Sequence, residues 1–164
     1  MKWQTLVCVT VMLFAAAAGP ALAHGADRGE AKATVAGKVV SIDYGRPNLK
    51  GRDMLAQAEV GKPWRMGADA ATTLKTEAAL TFGSVTVPKG EYILTATRLD
   101  ADKWQLNVLA NTQERTKVVD IPLTSATLKA GVEAFTIELT GQNEKGELSM
   151  AWGTTALKAA FTGR

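Results

Sequence analysis

The chain carries very little of the equipment that most chemistry requires. Its 164 residues include one cysteine, Cys8, and one histidine, His24. A lone cysteine excludes an internal disulfide and a cysteine metal cage, so stability must come from core burial. One imidazole near the N-terminus leaves no inventory for histidine-based acid and base catalysis, and no G-x-S-x-G, H-E-x-x-H or S-x-x-K signature is present. Basic runs and recognition-helix patterns are missing too, which argues against nucleic acid as a partner. Low-complexity tracts are also missing, and 46% hydrophobic with 21% charged residues is the balance of one ordinary folded domain.

Long apolar runs are equally scarce. The run over 6–18 falls short of the roughly 18 or more residues that span a bilayer. Lys2 precedes it, Gly19 and Pro20 break it, and Ala21-Leu22-Ala23 places small residues three and one before a cut. This is the pattern of a secretory signal peptide over 1–23. It predicts an exported protein, periplasmic or extracellular, with no stable membrane insertion once the leader is removed. Cys8 lies inside the run, far from the cut, so it cannot become a lipidated N-terminus. His24 would become the first residue, but chelating copper through its amino group and imidazole needs a second histidine, which the chain lacks. No metal site and no cofactor is expected. Residues 24–32 read as a mobile polar tail, and 33–164 as one domain.

Within that domain the dominant signal is a period of two. Val40, Ile42 and Tyr44 alternate with Val39, Ser41 and Asp43, as in a strand that buries one face. Gly45-Arg46-Pro47-Asn48 reads as a turn. Residues 49–61 show neither period clearly, so a long loop is expected there, with a short helix possible over 53–60. Residues 71–87 are strand-like, Pro88-Lys89-Gly90 turns the chain, and 91–110 read as a hairpin about Asp100-Ala101-Asp102-Lys103. Pro122 interrupts a run beginning at Lys117 and belongs at a strand edge or break. Phe135, Ile137 and Leu139 share a face. After a turn over 142–146, Leu148, Met150 and Trp152 continue the inward set, Gly153 permits a bend, and Leu157, Ala159 and Phe161 close it. Trp104 and Trp152 fall on faces of Leu, Val and Met, which places them in the core. Short alternating runs between turns predict an all-β antiparallel sandwich, jelly-roll-like or related, with the long loop after its first strand.

Specific chemistry is concentrated in 43–72. Y-G-R-P-N-L-K-G-R at 44–52, W-R-M-G-A-D-A-A-T at 64–72, P-K-G-E-Y at 88–92 and W-G-T-T at 152–155 resemble the bacterial secreted family called DUF2911, over roughly 40–161. That family usually carries G-A-N-E-A-T where this chain has G-A-D-A-A-T. The resemblance implies a β-rich exported domain of unknown function and lends no reaction.

The residues themselves describe a candidate ligand site: Tyr44, Arg46, Arg52, Trp64, Arg65, Asp69 and Thr72. Guanidinium groups present planar forks of donors suited to carboxylate, phosphate or sulfate, and Trp64 and Tyr44 offer flat faces to a sugar or aromatic ring. A noncatalytic site for a small anionic or carbohydrate ligand, or for a partner, is the leading expectation, with no catalytic residue assigned. A structural role stands beside it, in which Arg46 or Arg65 locks onto Asp43 or Asp69 and Trp64 plugs the core. A carboxylate-dependent hydrolase using Asp43 or Asp69 is the third reading. The sequence leaves the oligomeric state open.

Overall fold

A computed structural model describes residues 27–164; the signal-peptide reading and His24 lie outside the described residues. The described chain is all-β, with ten strands in one antiparallel sheet. They are β1 (Asp27–Val35), β2 (Lys38–Arg46), β3 (Pro63–Trp64), β4 (Thr72–Thr76), β5 (Leu80–Phe82), β6 (Val85–Val87), β7 (Gly90–Arg98), β8 (Lys103–Ala110), β9 (Lys117–Gln142) and β10 (Lys145–Gly163). Their order is β1-β2-β4-β7-β8-β9-β10-β5-β6, and β3 pairs with β7. The predicted hairpin over 91–110 is β7 and β8, in register from Tyr92 opposite Ala110 to Arg98 opposite Trp104.

Two expectations need correction and a third is refined. Most of the proposed polar tail is strand: β1 pairs with β2 along its whole length, Asp27 opposite Arg46 to Val35 opposite Lys38. The alternation that marks a strand fails there because only Ala31 and Val35 are buried, and Asp, Arg, Glu and Lys occupy four of its nine positions. Residues 71–87 are strand-like as expected, and they divide into β4, β5 and β6. The Thr76 hydroxyl donates to the Ala78 carbonyl and accepts from the Ala78 N–H, which turns the chain away from β4. Gly83, at φ 60°, then makes the tight turn between β5 and β6. The short helix over 53–60 is instead a hydrogen-bonded turn, with Gln57 N–H donating to the Asp53 carbonyl and Ala58 N–H to the Leu55 carbonyl.

Two long strands carry the design. β9 pairs with β8 through its first residues and with β10 from Thr124 onward. Pro122 therefore sits opposite Gln105 of β8, before β10 joins, where a missing N–H disrupts no second ladder. Farther on, the β9–β10 register slips twice, because Ala151, Gly153 and Thr155 stand opposite Thr136, Val132 and Thr127. The extra residues of β9 bulge out of the ladder, as a change of strand direction requires. The freed segment turns toward β2: Phe135 N–H donates to the Pro47 carbonyl and Leu49 N–H to the Glu133 carbonyl, each at 2.9 Å.

Buried side chains of β2, β4, β5, β7, β8, β9 and β10 share one core. Val40, Ile42, Leu94, Leu106, Val108, Ile121, Ile137, Leu148, Met150, Phe161 and Leu80 all belong to it and are nearly inaccessible. Trp104 and Trp152 belong to this core. At about 25 cal/mol per Å² of apolar area, the burial of such side chains is the main stabilising term.

Candidate functional site

The family-like motifs converge, and they do so through backbone contact. Gly45, in Y-G-R, lies against 68: a Cβ built on it would stand 2.1 Å from the Ala68 carbonyl oxygen. Gly67, in M-G-A-D, answers from the other side at φ 134°, where a Cβ would stand 2.6 Å from the Gly45 carbonyl oxygen. Two backbones this close leave no space for a side chain at either position. The W-G-T-T motif joins through a carboxylate. Asp53 accepts from the Thr154 N–H at 2.9 Å and the Thr154 hydroxyl at 2.8 Å, and from the Ala56 N–H at 3.2 Å. Gly153, at φ 62°, lies beneath it, since a Cβ there would fall 2.4 Å from the carboxylate. Desolvation would push the Asp53 carboxyl up, but its hydrogen bonds from Thr154, Ala56 and Leu55 outweigh that and hold it below its ordinary value.

Aromatic rings fill the space between. Trp64 stacks on Trp152 with centroids 5.9 Å apart and meets Phe135 edge-on at 5.0 Å. Tyr44 meets Phe135 edge-on at 5.5 Å. The polar tips are occupied: the Tyr44 hydroxyl donates to the Ile137 carbonyl and the Trp152 indole N–H to the Glu133 carbonyl, both at 3.2 Å.

Of the seven residues singled out from sequence, Tyr44 and Thr72 are buried, and the Thr72 hydroxyl donates to the Met66 carbonyl. Trp64 is half-buried in the aromatic cluster. Arg46 lays its stem across Gly29 and reaches the Phe135 carbonyl and the Thr136 hydroxyl, both at a long 3.4 Å. Arg65 donates to the Asp69 carbonyl across a tight loop in which Met66 and Asp69 have positive φ. Arg52 is exposed, and its guanidinium has no partner among the described residues. Asp43 pairs with Arg28 of β1, which also donates to the Ala70 carbonyl. The lock imagined for Arg46 or Arg65 on Asp43 is thus made by Arg28, a residue hidden in the presumed tail.

An open space lies beside this convergence. A cavity of about 460 Å³ is bounded by Leu55 and Ala56, by the 98–102 turn, and by the β9–β10 bend at 125–127 and 154–155. Its walls are fixed from behind. Arg98 donates to the carbonyls of Ala56, Ala58, Asp100 and Ala101, tying the 53–61 loop to the turn. The Ser125 hydroxyl donates to the Asp102 carbonyl at 2.7 Å, tying the turn to β9. Asp53 ties the loop to β10. None of Arg98, Asp102, Ser125 or Thr127 stood out in the sequence. Of the wall, only W-G-T-T pointed here, as the motif containing Thr154 and Thr155.

Among the described residues no group of three or more His, Cys, Asp or Glu side chains is placed to hold a metal. The two carboxylates with resolved shifts, Asp53 and Asp120, are both lowered. For Asp120, burial acts upward and is outweighed by hydrogen bonds from Lys117 and Asn107 and by the Lys117 charge. A general acid needs the opposite displacement.

No curated protein and no solved structure matches the chain at a significant level. One family model does, DUF2911, described as a protein of unknown function, over residues 26–161. That match takes in the three glycines and the Asp53 lock as well as the sheet, and the chain belongs to the DUF2911 family.

Proposed function

We propose that this is an exported, noncatalytic binding domain whose small ligand occupies the cavity at the β9–β10 bend. The export rests on the leader-like 1–23. The observation that carries the binding reading is the cavity itself: about 460 Å³, within the range of small-molecule sites, with walls fixed by Asp53, Arg98 and Ser125. Preformed walls spare the ligand the cost of ordering them. The 44–72 region takes part as scaffold, with its 55–56 segment as one wall. Tyr44, Thr72 and Trp64 hold that scaffold, and Arg46, Arg65 and Asp69 brace its loops.

A purely structural or interaction domain of the envelope is the second reading, favoured by how completely the motif side chains are used internally. A hydrolase has no such support, because Asp43 is committed to Arg28.

Thermal unfolding separates the first two. The protein is heated with and without carboxylates, phosphates, sulfates, amines and oligosaccharides, beside Ala126→Trp, which fills the cavity from an exposed strand position, and Arg65→Ala. Binding in the cavity raises Tm in the wild type and in Arg65→Ala, but not in Ala126→Trp. If no compound raises Tm, the structural reading stands. If the response survives Ala126→Trp and is lost in Arg65→Ala, the site lies at the arginines instead.

A further inference from the structure

We infer that the cavity selects an uncharged, hydroxyl-rich ligand of mono- or disaccharide size rather than an anion. The inference rests on the cavity being the binding site and adds the chemistry of its occupant.

The argument is a count of hydrogens. Among the described residues the only cationic side chain on the wall is Arg98. A guanidinium has five N–H donors, and Arg98 uses four of its N–H groups on carbonyls: Nε on Asp100, one terminal nitrogen on Ala56 and Ala58, and the other on Ala101. The planar two-donor fork that grips a carboxylate or phosphate is therefore spent. Ser125 and Thr154 also line the cavity, and both have already given away their hydroxyl hydrogens, to the Asp102 carbonyl and the Asp53 carboxylate. What they still offer is oxygen lone pairs. The Asp102 carboxylate stands on the same wall and receives no hydrogen bond among the described residues. Thr127 and Thr155 are free to act either way.

The wall is thus rich in acceptors and poor in donors, with one cationic and one anionic side chain. An anion would meet the Asp102 carboxylate without a free fork to repay its desolvation. A sugar brings several O–H donors and matches each to an oxygen, while the buried Leu55 and Trp104 close the floor of the space. A pyranose or a disaccharide fits within about 460 Å³.

Calorimetric titration tests this with neutral hexoses and their disaccharides, inorganic phosphate, citrate and spermidine, each against wild type, Ala126→Trp, Asp102→Ala and Asp102→Asn. Asp102 is exposed in a turn, and folding of its variants is verified by Tm. A neutral saccharide is expected to bind, to lose binding in Ala126→Trp, and to weaken tenfold or more in Asp102→Ala. Asp102→Asn, which keeps one acceptor oxygen, recovers part of the loss. Phosphate, citrate or spermidine binding in the cavity while saccharides do not would overturn the ligand class and leave the cavity reading intact. Saccharide binding indifferent to both Asp102 variants would overturn the acceptor argument. The absence of heat from every probe would sink both readings together.

Discussion

The 44–72 connection and the cavity beside it differ in the way their polar groups are spent. In the connection, most distinctive side chains are spent within the fold: Tyr44 and Thr72 on carbonyls from buried positions, the exposed Arg65 on a loop carbonyl, and Trp64 between two rings. In the cavity, the Asp102 carboxylate and the hydroxyls of Thr127 and Thr155 keep free hydrogen-bonding capacity. The difference teaches that dense sequence motifs mark where a long irregular segment must be pinned, since its backbone groups cannot be left unpaired against a sheet. Open space with unspent acceptors is assembled from residues that are individually ordinary.

Substitutions can break that comparison, and the largest effect is expected where backbones touch. Gly45→Val should leave little folded protein, because its side chain would start 2.1 Å from a carbonyl oxygen that is itself part of the lock. Soluble yield and circular dichroism would register it. Phe135→Ala comes next. It removes the ring that Tyr44, Trp64 and Trp152 all touch, and denaturant unfolding should show a loss of about 3–5 kcal/mol.

Asp53→Asn should cost about 1–3 kcal/mol near neutrality, through weakened hydrogen bonds to Thr154 and Ala56. Here pH sharpens the test. The carboxyl is held below its ordinary 3.8 when folded, so its stabilisation is complete above pH 3.8 and fades as pH falls through the lower folded value. Unfolding curves of wild type and variant should therefore draw together only below pH 3.8. A gap that closed at higher pH would mean that another group is responsible. Arg52→Ala, at an exposed position whose guanidinium has no partner among the described residues, should change stability by less than about 0.5 kcal/mol.

The fold class was legible because period-two alternation survives wherever one face of a strand is buried, as in β2, β7 and β8. Where the pattern failed, the reasons are local. β1 buries only two side chains, so its charges mimic a tail. The break between β4 and β5 rests on one threonine's pair of backbone hydrogen bonds, which no periodicity reports. The glycine and tryptophan motifs were visible as motifs, but their purpose was not, because the contacts of Gly45 with 68 and of Asp53 with Gly153 and Thr154 join distant parts of the chain. The cavity was hidden for the same reason. Its wall draws on the 55–56 loop, a hairpin turn and the bend of a long strand pair, and only the register slips at Gly153 bring them together.

The central claim is that the motifs brace the domain and the cavity beside them receives the ligand. Backbone amide mapping by heteronuclear NMR, during titration of the intact protein with the saccharide that raises Tm most, tests it most directly. The account predicts shifts confined to 55–56, 98–102, 125–127 and 154–155, with the amides of Arg46, Arg65 and Asp69 unmoved. Shifts centred on those three residues, or none at all, would contradict it.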